Sequence, residues 1–140
     1  MPLVLRNAVA ADIDGLLALW REAAENADRP ADTRDAVVTV LAWDPEAVFV
    51  AERDGALAGS VIAGWDGWRC HLYRLAVRPA ERGQGTGTAL VRAAEDRFRA
   101  LGGARVDAMV HEGNDNGQGL WRAVGYLRQE NWRRWAKLLR

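Results

Sequence analysis

The sequence is short of the residues that staple or metallate small domains. Its single cysteine, Cys70, excludes an internal disulfide and any cysteine-based zinc framework. Burial habit gives that thiol a small apolar place at a strand start. Two histidines, His71 and His111, cannot hold a metal without carboxylates, so no metal is expected. No stretch approaches the ~20 apolar residues of a membrane helix. Met1-Pro2-Leu3-Val4-Leu5-Arg6 does not read as a signal peptide. A membrane is therefore not an expected partner, and a cytoplasmic location follows by elimination. Net charge is missing too: 19 basic residues balance 19 acidic ones, which leaves no global attraction to nucleic acid.

What is present suits one globular domain spanning residues 1–140. A hydrophobic fraction of 49% and a charged fraction of 27% are ordinary for a soluble fold with a real core. The charge is unevenly spread. Asp12, Asp14, Glu22, Glu25, Asp28, Asp32 and Asp35 make residues 10–55 acidic, while Arg69, Arg74, Arg78, Arg82 and Arg92 follow. Such a split suits either a phosphorylated ligand on one side and a cationic group on the other, or two differently solvated faces.

The pattern predicts a strand at Leu3–Arg6, then a helix capped by Asp12 with Ile13, Leu16, Leu17 and Trp20 at helical spacing. A second helix runs from Arg34 to Trp43, with Val37, Val38 and Leu41 on one face, and Asp44-Pro45 ends it. Apolar runs at Ala47–Glu52 and Leu57–Ala63 flank Asp54-Gly55, a hairpin signal. His71–Val77 is a further strand. A long helix with Leu90, Val91, Ala94, Phe98 and Leu101 on one face stops at Gly102-Gly103. Arg105–Val110 is a strand, 115–124 a short helix, and Tyr126 onward a last extended region carrying Trp132 and Trp135. Strand, long helix and strand imply one right-handed parallel crossover in a mixed, mostly antiparallel sheet, hence an α/β domain with flanking helices. Core packing is expected to take up most of the seven tryptophans.

The most specific feature is Leu75-Ala76-Val77-Arg78-Pro79-Ala80-Glu81-Arg82-Gly83-Gln84-Gly85-Thr86-Gly87-Thr88, which joins a strand to an amphipathic helix. A helix start offers free N–H groups and the positive end of the dipole. Glycines let a phosphate approach the backbone and permit φ > 0. The P-loop signature needs Gly-Lys-Ser/Thr, but Gly87 is followed by Thr88-Ala89. The dinucleotide fingerprint needs a third glycine where Thr88 or Leu90 stands.

The turn instead resembles the acyl-CoA signature of the GNAT superfamily, Gln/Arg-x-x-Gly-x-Gly/Ala, filled here by Arg82, Gly85 and Gly87. Leu75-Ala76-Val77 with Pro79 resembles the family's preceding strand. Asn114, Trp121 and Gly125-Tyr126 resemble its Asn…Tyr-x-x-x-Gly-Phe segment, with Trp121 in the tyrosine's place. The resemblance implies acetyl-CoA as co-substrate. Amides of Gln84–Thr88, with Arg82 and Gly83 beside them, would hold its pyrophosphate. The chain of Leu75, Ala76 and Val77 would pair with the pantetheine arm, with Asn114 and Trp121 on the other side. The Leu75 amide would polarise the thioester carbonyl. The same resemblance implies a sheet whose one parallel strand pair splays apart.

Acyl transfer to an amine needs a neutral nucleophile, a donor to the carbonyl oxygen and a protonated leaving thiol. His71 and Tyr73 share one strand face. Histidine titrates near neutrality and can serve as base, while Tyr73 lines the acceptor pocket. Glu112 is a further candidate through water. Trp121 cannot supply a proton, because indole N–H donates only hydrogen bonds. The reading is an N-acyltransferase, with acetyl passing to a primary amine of a small molecule or peptide. The alternatives are a non-catalytic acyl-CoA sensor, or an enzyme for protein N-termini or lysines, for which Asp66 would be an acidic contributor. Tryptophans on a terminal strand also admit a homodimer.

Overall fold

A computed structural model describes residues 2–27 and 29–139, so Asp28 of the acidic run lies outside the described residues. Strand β1 (Val4–Asn7) leads through a 3-10 turn into helix α1 (Ile13–Ala23) and then α2 (Arg34–Trp43). Strands β2 (Val48–Arg53), β3 (Ala56–Trp65) and β4 (Cys70–Val77) follow as a meander. Helix α3 (Thr86–Ala100), strand β5 (Val106–Ala108) and helix α4 (Asp115–Ala123) complete the order. The five strands lie in sequence order, antiparallel throughout except that β4 and β5 run parallel. At the β2–β3 turn Asp54 and Gly55 both have positive φ, 54° and 77°, as a two-residue hairpin between twisted strands requires.

Helices cover both faces of the sheet. Leu90, Val91, Ala94 and Phe98 of α3 pack with Ala58, Val61, Ala63, Cys70, Leu72 and Trp121. Ile13, Leu16, Leu19 and Trp20 of α1, with Val37 of α2, pack against Val48, Val50, Leu57 and Ala76. Burial on both faces explains why Leu57–Ala63 reads as a continuous apolar run and not an alternating one. Each fully buried large side chain here, such as Phe98 or Leu16, contributes about 1.5–3 kcal/mol. Gly59 lets the start of α3 approach β3, since a Cβ there would lie 2.9 Å from Leu90 Cδ1 and 3.3 Å from Thr86 Cγ2.

Several expectations need correction. Among the described residues no strand forms after Tyr126. Residues 127–139 are irregular and exposed, and Trp132 and Trp135 keep 74% and 94% of their surface. The reason is visible in Arg128, Glu130, Arg133, Arg134 and Lys137, which break any two-residue alternation and leave no apolar face to bury. Arg128 instead pairs with Glu112 and Glu130. Core packing takes up only Trp20 and Trp121 fully and Trp65 in part. Trp43 and Trp68, like Trp132 and Trp135, are exposed. Asp12 does occupy the N-cap of α1, but its carboxylate makes no cap bond to that helix. It pairs with Arg6 at 2.8 Å and accepts from Val9 N–H. Val38 and Leu101 are exposed rather than on the buried faces.

Candidate active site

The sheet opens beside the glycine turn. Parallel pairing between β4 and β5 covers Cys70, His71 and Leu72 opposite Val106, Asp107 and Ala108, and then stops. From Tyr73 to Val77 the edge of β4 that faced β5 has no strand partner among the described residues. Backbone groups at such an edge need acceptors and donors, so the gap is a ready place for an extended amide-bearing ligand.

At the end of that edge lies the turn. Gly83 and Gly85 adopt φ of 77° and 83°, which only glycine takes without strain, and Gly85 is the N-cap of α3. The helical ladder begins with Ala89 N–H donating to Gly85 O at 3.0 Å, so the amides of Thr86, Gly87 and Thr88 lie ahead of it at the helix end. The Thr86 hydroxyl is buried with no partner among the described residues. Arg82 and Gln84 are exposed beside it. Free amides, a positive helix end and an orphaned hydroxyl fit a pyrophosphate well. The turn is held from behind by Arg78 N–H to Ala58 O at 2.8 Å and by Arg53 on Glu81 at 3.0 Å.

The opposite edge of β4, paired with β3, carries a bulge. Ser60 pairs with Ala76 and Ile62 with Tyr73, so Arg74 and Leu75 together face Val61. Arg74 takes φ of 50° there. The distortion is fixed by a buried chain in which Trp20 Nε1–H donates to Ser60 Oγ at 2.8 Å and Ser60 Oγ donates to the Arg74 carbonyl at 3.0 Å. The Arg74 guanidinium, with only 4% of its side chain exposed, forms two bonds to Asp32 at 3.1 and 2.6 Å. It also donates to Glu25 O at 2.5 Å and lies 5.9 Å from the Trp20 ring centroid. Glu25 Oε1 accepts from His111 N–H at 3.0 Å and Asn114 Nδ2 at 2.5 Å. The connection between α1 and α2 is thereby tied both to β4 and to the start of α4.

None of Glu25, Asp32 and Arg74 was singled out as a site residue by sequence reasoning. The bonds that join them to one another and to Asn114 span 42 to 89 positions, and no local spacing encodes that. The acidic run is likewise no bare anionic face. Asp12 pairs with Arg6, Asp14 with Arg34, Asp32 with Arg74 and Asp44 with Arg97.

His71 and Tyr73 stand together as expected, with ring centroids 5.9 Å apart. Burial, with the Asp66 charge, pushes the Tyr73 phenol above its ordinary range, which keeps it a hydrogen-bond donor at neutral pH. Asp66 is held below the usual carboxylate range by N–H bonds from Arg69 and Trp68. Asn114 is engaged at both ends, because its Oδ1 also caps α4 by accepting from Gly117 N–H at 2.9 Å. Trp121 is buried in the core, edge-on to Tyr126 at 4.9 Å. The Tyr126 hydroxyl donates to Glu95 at 2.8 Å, and burial with that bond raises its pKa. Glu112 is exposed and paired with Arg128. Two surface cavities of about 360 and 750 Å³ lie elsewhere, against α1 with the β2–β3 turn and along α2. Among the described residues no cluster of side chains suits a metal, and no helix is long and apolar enough to cross a membrane.

Comparison with known proteins places relatives beside this geometry. A family model described as "Acetyltransferase (GNAT) family" matches residues 13–126. An acetyltransferase of Yersinia enterocolitica is 40% identical over 90 residues, which is 64% of each chain, so the match spans less than two thirds of that relative's length. An acetyltransferase of Pectobacterium atrosepticum is 33% identical over 118 residues, covering 82% of this chain and 81% of its own. Among solved structures, AAC(6')-Iy in complex with a bisubstrate analogue, CoA-S-monomethyl-acetylneamine, superposes with a TM-score of 0.79 at 19% identity, covering 99% of both chains. At that identity the superposition speaks for the fold alone.

Proposed function

The chain belongs to the acetyltransferase (GNAT) family, and from that premise we propose that it is an acetyl-CoA-dependent N-acyltransferase acting on a primary amine of a small molecule or peptide. The observation that carries the reading is the coincidence of two features. The edge of β4 beyond Leu72, without a strand partner among the described residues, leads to the amides of Thr86, Gly87 and Thr88 ahead of the α3 ladder.

In this reading the amides of Gln84 to Thr88, the Thr86 hydroxyl and Arg82 hold the pyrophosphate, and Leu75, Ala76 and Val77 pair along the pantetheine arm. Acetyl-CoA supplies a thioester, whose carbonyl is activated toward amines. The Leu75 N–H is the donor aimed at the carbonyl oxygen, where negative charge grows as nitrogen attacks. The new C–N bond forms as the C–S bond breaks. His71 takes the proton the amine gives up, directly or through water. Tyr73 donates a hydrogen bond to the departing sulfur, which leaves as a thiol after protonation from solvent. Asn114 positions the start of α4 and, once released by Glu25, can bond the arm. Trp121 contributes by packing, not by proton transfer.

One observation favours a second reading, a non-catalytic acyl-CoA sensor. The indole of Trp121 and the Glu95-bound hydroxyl of Tyr126 leave the end of α4 without an available acid. Protein N-termini or lysines as acceptors are a third option within the enzyme reading. A homodimer through residues 127–139 is proposed from the exposure of Trp132 and Trp135, and light scattering tests it.

Calorimetric titration of acetyl-CoA decides the first question. Wild type should bind, and Gly85→Glu should weaken binding by at least about 100-fold, near 2.7 kcal/mol. Gly55→Glu carries the same side chain at a similar φ of 77°, also in open space, on the distant hairpin, and should bind normally. Failure of wild type to bind would end the proposal. Binding without thiol release across an amine panel would favour the sensor.

A further inference from the structure

Arg74 is a costly residue to bury inside a sheet bulge unless its charge is answered. Asp32 answers it with two hydrogen bonds, but the same carboxylate is also engaged by a second guanidinium. Arg29 Nη2 donates to Asp32 Oδ1 at 3.2 Å, the oxygen that already accepts from Arg74 Nε at 3.1 Å. One anion therefore serves two cations. Arg29 otherwise makes only a long bond from Nε to Pro30 O, 3.4 Å, and among the described residues nothing accepts from its Nη1. The Arg29 side chain is one-third exposed, so a ligand can reach it. Its pKa is lowered first by burial, then by repulsion from Arg74, which exceeds the attraction of Asp32. Arg134, from the C-terminal segment, outweighs Glu25 in the same way.

The place of this pair gives it meaning. Arg74 immediately precedes Leu75 in the bulge, and the α1–α2 connection that carries Glu25, Arg29 and Asp32 is tied to it. Of the two guanidiniums Arg29 is the one open to solvent, and it lies on the connection tied to the residue before Leu75. Planar guanidiniums recognise carboxylates by paired N–H bonds, which a lone ammonium or a sugar hydroxyl cannot accept in the same way.

We propose that Arg29, with the buried Arg74 behind it competing for Asp32, forms a carboxylate subsite, so that the acceptor is an amine bearing its own carboxylate, as in an amino acid or short peptide. The inference rests on the acyl-transfer reading only for the placement of the amine. The anion subsite itself stands on the shared Asp32. Cationic polyamines and aminosugars are then poor acceptors.

The test measures binding of 4-aminobutanoate, 6-aminohexanoate and glycylglycine, each against its primary amide, by calorimetry in the presence of coenzyme A. At least one acid should bind about 10-fold more tightly than its amide, equivalent to about 1.4 kcal/mol. Arg29→Gln should erase that difference while leaving the amides unchanged. Asp32→Asn, which frees both guanidiniums from their shared partner, should tighten acid binding, an effect opposite in sign to that of a purely structural ion pair. Equal binding of acids and amides, absence of acid binding up to about 10 mM, or a preference that survives Arg29→Gln would overturn the proposal. Acetyl-CoA affinity is titrated separately on the same proteins. Its absence in wild type would sink the transfer reading without touching the carboxylate subsite.

Discussion

The two halves of the candidate site are built from different materials. The anion half, from Val77 to Thr88, is mostly main chain: positive-φ glycines, amides ahead of the α3 ladder and an unpaired strand edge. The acceptor half is mostly side chain: Trp20 on Ser60, Ser60 on the Arg74 carbonyl, Arg74 on Asp32, and Glu25 on Asn114. A backbone-built site survives changes of side chain and can be written in one short stretch of sequence. A side-chain-built site needs partners from four separate segments at once, and a single substitution re-aims it.

That contrast can be broken at Arg74. Arg74→Met leaves Asp32 facing only Arg29 and should cost about 3 kcal/mol in urea unfolding, the expected loss when one partner of a buried pair is removed. Acetyl-CoA affinity should change less than about 3-fold, and a parallel loss would show that the halves are not separable. Asn114→Ala removes both the α4 cap and the tie to Glu25, an expected loss of about 1–2 kcal/mol. Glu25→Gln keeps the cap and should lose about half as much, read by the same unfolding assay. Thr86→Val works in the opposite direction on the anion half. Replacing a buried, unpartnered hydroxyl by methyl should stabilise the free protein by about 1 kcal/mol, while acetyl-CoA affinity falls about 10-fold in calorimetry.

The smallest effect concerns pH. The Asp12 carboxyl is held below its ordinary range first by hydrogen bonds from Arg6, with burial opposing them. Its folded pKa is depressed, so its stabilisation is complete above the unfolded value near ~3.9 and is lost as pH falls through the folded one. Unfolding measured between pH 2 and pH 6 should show an acid-side slope that Asp12→Asn reduces. An unchanged slope would place the acid sensitivity elsewhere.

The turn was legible because it is local. Gly83, Gly85 and Gly87 and the apolar stripe of α3 state their backbone needs within twenty residues. The hairpin at Asp54-Gly55 and the span of α2, Arg34 to Trp43, were legible for the same reason. The terminal strand was misread because extended-looking residues such as Trp132 and Trp135 say nothing about whether a neighbouring edge will take them. Core packing was expected to take up most tryptophans, but four of the seven are exposed. Burial depends on what packs around a ring, and α1 and α4 offer that only to Trp20 and Trp121.

The sequence by itself determined the family, the order of elements as far as α4 and the glycine turn before α3, since each follows from conformational preferences of residues close together in the chain. Tertiary structure alone decided where β4 and β5 part, how a bulge at Arg74 turns a guanidinium inward, and which acids remain available. Those outcomes depend on hydrogen bonds and ion pairs between residues 14 to 89 positions apart, formed only after the sheet and helices have packed.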